Sequence, residues 1–256
     1  MVWAMQPVIT VKNLVKRYGD FTAVDGISFD VQHGEIFGLL GPNGAGKTTT
    51  LEIIETLKTQ TSGEVLIDGL NTRESGAHVK EKIGIQLQAA SFYPGLTLVE
   101  LLGMFGAMYG TTVDAMKMLK RFNLEEKASV QYAKLSGGQK QRFSIATTLV
   151  NKPKVIFLDE PTTGLDPQAR VNLWELIEEV QKDGVTIVLT THYMDEAEHL
   201  CDRLAIMDRG KIIQEGSPKQ LIEELLQAGF KAHKEVKPAT LEDVFLNLTG
   251  KMIREA

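Results

Sequence analysis

Apolar positions along this chain fall into short runs, separated by turns rich in Gly, Pro, Asp and Ser and by stretches with helical spacing. Val8 to Val11 reads as a strand, and so does Ile27 to Val31, where apolar residues alternate. Glu35 to Leu40 reads as a buried strand that stops at a glycine-rich turn, and the pattern is helical from Lys47 to about Leu57. Glu64 to Ile67 is a strand between Thr61-Ser62-Gly63 and Asp68-Gly69, and Lys82 to Leu87 is another. From about Thr97 to Val150 the spacing predicts three or four helices and no strand: Leu98, Leu101, Leu102 and Phe105 share one face, and Val113, Met116 and Leu119 share another. Alternation then resumes. Val155 to Leu158 is a strand, Asp166-Pro167 opens a helix that runs to about Lys182, and Val185 to Thr190 is a strand. Leu204 to Met207 and Lys211 to Gln214 flank Asp208-Arg209-Gly210 as a hairpin. Ser217-Pro218 starts a helix closed by Gly229, and Leu241, Val244, Phe245 and Leu248 mark a last amphipathic helix.

A strand–helix chain interrupted by an all-helical stretch predicts an α/β core with an inserted helical subdomain. The expected division is a discontinuous core of residues 1–88 and 151–215, a helical subdomain of residues 89–150, and a helical extension of residues 216–256.

Composition narrows the chemistry. The 256 residues are 43% hydrophobic and 24% charged, which is globular and not disordered. A net charge of −5 disfavours nonspecific nucleic-acid binding, so no nucleic-acid partner is expected. The single cysteine, Cys201, excludes an internal disulfide, leaves no disulfide partner, and suits a reducing compartment. No apolar run approaches the roughly 20 residues that span a bilayer. The N-terminus does not read as a secretory signal, so the expected setting is cytoplasmic.

The turn after Leu40 reads Gly41-Pro42-Asn43-Gly44-Ala45-Gly46-Lys47-Thr48, with Thr49 following. It matches G-x-x-x-x-G-K-[ST] between a predicted strand and a predicted helix. Glycines let the backbone close around phosphate oxygens, and the helix N-terminus faces their charge. Lys47 then reaches the β- and γ-phosphates, and the Thr48 hydroxyl suits Mg²⁺. The motif alone does not separate ATPases, GTPases and kinases. Asn151-Lys152-Pro153-Lys154 begins like a guanine reader, but Lys154 stands where the reader needs an aspartate.

The run Val155-Ile156-Phe157-Leu158 ends in Asp159-Glu160, which places two carboxylates at the ligand crevice of a parallel sheet. Asp159 suits the Mg²⁺ shell, and Glu160 suits a general base acting on water. Alone, the pair also fits a solvated turn; the upstream phosphate loop favours the chemical reading. Leu135-Ser136-Gly137-Gly138-Gln139 offers a second anion site, with Ser136 as the N-cap of the next helix.

On Leu135-Ser136-Gly137-Gly138-Gln139, together with the phosphate loop and Asp159-Glu160, the chain resembles the ATP-binding cassette family over nearly its whole length. The resemblance implies a P-loop NTPase core with an N-terminal antiparallel β portion, hydrolysis of ATP with Mg²⁺, and a head-to-tail dimer. In that dimer each nucleotide lies between one subunit's phosphate loop and the other's signature helix. It also implies that Tyr18 stacks on adenine, that His192 touches the γ-phosphate, and that Asp166 crosses the dimer interface while capping its helix. Gln88 is implied as the glutamine that touches Mg²⁺ and water, and it links to the helical insert; Gln86, on the same strand face, is its rival. The family pairs such chains with separate transmembrane permease subunits, which would hold this one on the inner face of the membrane. Pro161 to Pro167 and Thr240 to Phe245 resemble exporter cassettes of the ABC-2 type, and a soluble non-transport ATPase is the alternative. Ala90, Phe92, Tyr93 and Pro94 form an apolar loop that would either dock the membrane partner or pack inside the subdomain.

Overall fold

The computed structural model describes residues 6–86 and 92–229. It begins with a hairpin, β1 (Ile9–Tyr18) and β2 (Phe21–Val31), followed by β3 (Ile36–Leu40) and α1 (Lys47–Ile54). Next come β4 (Ser62–Ile67), β5 (Leu70–Asn71), α2 (Gly76–Lys82) and β6 (Ile83–Gln86). The stretch α3 (Leu98–Met108), α4 (Ala115–Arg121) and α5 (Gly137–Thr148) contains no strand. The chain then forms β7 (Val155–Asp159), α6 (Pro167–Lys182), β8 (Thr186–Thr191), α7 (Met194–Leu200), β9 (Arg203–Asp208), β10 (Lys211–Gly216) and α8 (Pro218–Gln227).

Two sheets result. One is antiparallel, in the order β2-β1-β4-β5; the other has the order β10-β9-β3-β8-β7-β6. In the second sheet β9, β3, β8, β7 and β6 run parallel, and β10 pairs antiparallel with β9 at the edge. This is an α/β P-loop core with an N-terminal antiparallel portion and a helical insert.

The central strands have no solvent face, because each serves two cores. Phe37 and Leu39 of β3 pack with Val155 and Phe157 of β7, Val188 of β8, and the apolar sides of α1 and the antiparallel sheet. Ile36 and Leu40, Ile156 and Leu158, and Ile187 and Leu189 point the opposite way, into a core shared with α3, α5, α6 and α7. Period-two alternation inside all-apolar strands therefore builds both layers. The helical stretch shares this second core, through Leu101, Leu102, Phe143 and Ile145.

Two close approaches need glycine. A Cβ at Gly84 in β6 would stand 2.1 Å from the Thr148 carbonyl oxygen at the end of α5, and one at Gly38 in β3 would stand 2.6 Å from Cys201 Sγ.

Several expectations change. β1 runs seven residues past Val11, through Asn13, which has a positive φ of 48° and register shifts around it. Such an irregular strand breaks the alternation that sequence reading relies on. α2 and α7, of seven residues each, were not expected; such short helices carry too few turns to show a period. Val113 precedes α4 rather than lying in it. Phe92 packs edge-on against Phe105, Tyr132 and Phe143, whereas Tyr93 is 66% exposed. The apolar loop is thus divided, with one ring inside and one outside. Ala90 and the helix expected at Leu241 to Leu248 lie outside the described residues.

Candidate functional site

β3, β8 and β7 lie side by side, and their carboxyl ends are level: Leu40 pairs with Thr191, and Asp159 with Thr190. The loop from Gly41 to Gly46 leaves β3 at that edge and turns into α1, where Gly46 is the N-cap with a φ of 102°. A side chain there would be strained and would also collide with the Ala23 carbonyl oxygen at 2.5 Å, so only glycine fits.

Lys47 is 96% buried, and its Nζ donates to the carbonyl oxygens of Gly41 (2.8 Å) and Pro42 (3.1 Å). The same Nζ stands 3.9 Å from Glu160 Oε1. Burial pushes the Lys47 pKa down, while the charges of Glu160 and Asp159 pull it back up. The Thr48 hydroxyl donates to Asp159 Oδ1 at 3.2 Å, and the Thr190 hydroxyl donates to that same oxygen. Burial raises the Asp159 pKa, opposed by those two hydrogen bonds.

Glu160 carries a left-handed backbone, φ 48°. Its N–H is held by the carbonyl and the hydroxyl of Thr190, at 3.2 and 3.0 Å. A non-glycine residue in this region costs on the order of 1–3 kcal/mol and persists where neighbours over-determine it, most often at working sites. The side chain of Glu160 accepts from Thr163 Oγ1 at 3.1 Å, and its Oε1 lies 3.2 Å from His192 Nδ1.

The structure therefore brings Lys47, Thr48, Asp159, Glu160 and His192 to one crevice at the strand ends. Elsewhere, Ser136 caps α5 through a capping box: its hydroxyl accepts from the Gln139 N–H, and its N–H donates to Gln139 Oε1 at 3.0 Å. The carboxyl terminus of α5 crosses the start of β6, so Ser136, Gly137 and Gly138 stand at the helix end away from the strand starts. Asp166 caps α6 by accepting from the Ala169 N–H at 2.9 Å. Tyr18 ends β1 half-exposed, with Lys16 Nζ 4.9 Å from its ring centre. Gln88 lies outside the described residues; Gln86 ends β6, buried beside Leu158.

Sequence reading missed Thr190. Its hydroxyl donates to the Asp159 carboxylate and accepts from the Glu160 backbone N–H, and the available signal was a threonine pair ending an otherwise apolar strand. It also missed Glu196, fully buried behind the crevice.

Oxygen donors fit a hard divalent cation. Thr48 and Asp159 supply two clustered oxygens, and Mg²⁺ commonly takes only one or two protein ligands with phosphate and water completing its shell.

A glycine-bent phosphate loop opening a helix, beside two acids at the ends of parallel strands, defines a P-loop nucleotide-binding protein. The model of the ABC transporter family matches residues 24–163, and the chain belongs to that family. The Nod factor export ATP-binding protein I of Burkholderia lata is 38% identical over 299 residues, covering 96% of this chain and 98% of that protein. The probable multidrug ABC transporter ATP-binding protein YbhF of Escherichia coli is 40% identical over 248 residues, covering 95% of this chain and 42% of that one. Among solved structures, the ADP conformation of an ABC transporter cassette superposes with a TM-score of 0.76 at 26% identity, covering 87% of this chain and 96% of that chain. A dimeric cassette in a post-hydrolysis state with ADP and Pi superposes with a TM-score of 0.73 at 30% identity, covering 82% of this chain and 98% of that chain. The chain is an ATP-hydrolysing cassette of an ABC transporter. No helix among the described residues is long and apolar enough to cross a membrane.

Proposed function

We propose that this cassette drives export, and that it works as a head-to-tail dimer bound to separate permease subunits on the inner face of the membrane. The observation that carries the reading is the meeting of Lys47, Thr48, Asp159, Glu160 and His192 at three strand ends, while Ser136 caps a different helix. One chain then offers half of each of two sites. Export is supported by the names of the relatives, which are export and multidrug proteins.

In this reading the loop N–H groups from Gly41 to Thr49 surround the phosphates, and Lys47 exchanges its two carbonyl partners for β- and γ-phosphate oxygens. Tyr18 takes the adenine ring. Thr48 and Asp159 would hold Mg²⁺, with Gln88 as a further ligand, and the bound cation would offset charge on the phosphate oxygens. Glu160 accepts a proton from water as the water oxygen bonds to the γ-phosphorus and the bond to the ADP oxygen breaks. His192 donates to the γ-phosphate from the other side of Glu160. Ser136, Gly137, Gly138 and Gln139 of the second copy close on the same γ-phosphate, and Asp166 lies at the seam between copies.

Mixing two variants tests the geometry. Lys47→Ala and Ser136→Arg should each lose ATPase activity alone. Mixed, they form one composite site carrying both defects and one intact site, so part of the activity should return. Full activity of Ser136→Arg alone, or no recovery in a mixture shown to dimerise, overturns the shared site.

A further inference from the structure

Glu196, in the first turn of α7, has no exposed surface. Its Oε1 accepts from the Thr162 hydroxyl at 2.8 Å and from Trp174 Nε1 at 3.3 Å. Its Oε2 has no hydrogen-bond partner among the described residues, while the nearby Thr191 side chain draws the carboxyl's pKa down. Thr162 belongs to the loop between Glu160 and Asp166, and Thr191 directly precedes His192. Trp174 stands in α6, the helix that Asp166 caps. Thr191 is fixed in turn, since its hydroxyl accepts from the Tyr193 N–H at 3.0 Å.

A buried carboxyl is an expensive way to fill a core. Burial pushes its pKa up against the hydrogen bonds it accepts, and an apolar side chain of the same size would carry no such penalty. What an apolar residue could not do is join three segments by directional bonds. We propose that Glu196 is a positioning residue for ATP hydrolysis: it locks the loop 161–166 to the turn bearing His192, so that Glu160 and His192 stay in mutual register. The inference rests on the reading of Glu160 and His192 given above. It assigns the buried network a role in the reaction rather than in stability alone, because Thr162 stands two residues after Glu160 and α7, which bears Glu196, starts two residues after His192.

The test uses the purified full-length chain with Mg²⁺-ATP, measuring kcat, KM and Tm for each variant. Glu196→Gln keeps an acceptor oxygen and should stay within about threefold of wild type in kcat. Glu196→Leu keeps the volume but removes the acceptor, and should lose about tenfold or more in kcat with KM little changed. Should Glu196→Leu not fold, Thr162→Val and Trp174→Phe each remove one of the two donors. Each should lower kcat by about threefold to tenfold at temperatures well below its Tm. The double variant should lose clearly less than the product of the two single losses, because both act through one carboxyl. Variants that lose Tm while keeping wild-type kcat overturn the proposal, as do single losses that simply multiply. Glu160→Gln is run in parallel. If it turns over like wild type, the assignment of the base fails; if it is inactive while the network variants are normal, only the positioning role fails.

Discussion

Glu160 Oε1 lies between two nitrogens, 3.2 Å from His192 Nδ1 and 3.9 Å from Lys47 Nζ. The carboxylate thus shares one oxygen between the strand-end histidine and the phosphate-loop lysine, while its other oxygen takes the Thr163 hydroxyl. A group so placed is fixed in direction before any water reaches it, as a general base requires. Glu160→Gln keeps this shape and loses the basic site. Steady-state ATPase should fall by about 10²–10⁴-fold with ATP binding preserved. Turnover within threefold of wild type would falsify the role.

Glu55 closes α1 and is 1% exposed, with its pKa pushed up to about 8, first by burial and then by the charges of Asp159 and Glu52. The folded protein therefore holds a proton here that the unfolded chain releases from about pH 4.5 upward. Stability from this group is complete below that point and is lost as pH rises to about 8. Urea unfolding of the nucleotide-free chain should show Glu55→Gln falling less steeply than wild type over that window. The advantage at the alkaline end should be on the order of a few kcal/mol. Parallel pH curves for the two proteins would show that Glu55 is charged in the fold.

Thr56 follows Glu55 with a φ of 65°, and its buried hydroxyl has no hydrogen-bond partner among the described residues. This is the position after the helix cap where glycine commonly supplies a left-handed backbone, and a β-branched residue there is strained. Thr56→Gly should relieve that strain and gain about 1 kcal/mol net of its greater unfolded entropy, which raises Tm by about 2–4 °C. A lower Tm would show that the threonine methyl packs well enough to outweigh both costs.

Phe92 and Tyr93 are neighbours with opposite environments. Phe92→Ala removes a ring from an aromatic cluster and should cost about 2 kcal/mol or more, visible as a lowered Tm. Tyr93→Ala should leave Tm unchanged. Equal losses from the two would place both rings in the interior.

The phosphate loop and the Asp159-Glu160 pair were legible because each is contiguous in sequence, and contiguous residues carry their geometry with them. The signature segment was legible for the same reason. Thr190 and Glu196 were not, because their contacts depend on strand register and helix packing across 31 and 34 residues. A lone threonine or glutamate carries no mark of such a neighbour. The two layers of the core were visible only as apolar runs; their assignment to opposite faces needed the pairing of β3, β7 and β8.

Strands buried on both faces have a further consequence. In a half-solvated sheet, slipping one residue turns apolar side chains into water, and hydropathy alone enforces alignment. β3 and β6 lack that safeguard, because either face would accept their apolar residues. Their alignment is guarded instead by size, at two points where even one methyl group is too much: Gly38 against Cys201 and Gly84 against Thr148. A slipped strand would drive an isoleucine, leucine or phenylalanine into a gap shaped for hydrogen, so steric exclusion takes over the proofreading that solvent performs elsewhere.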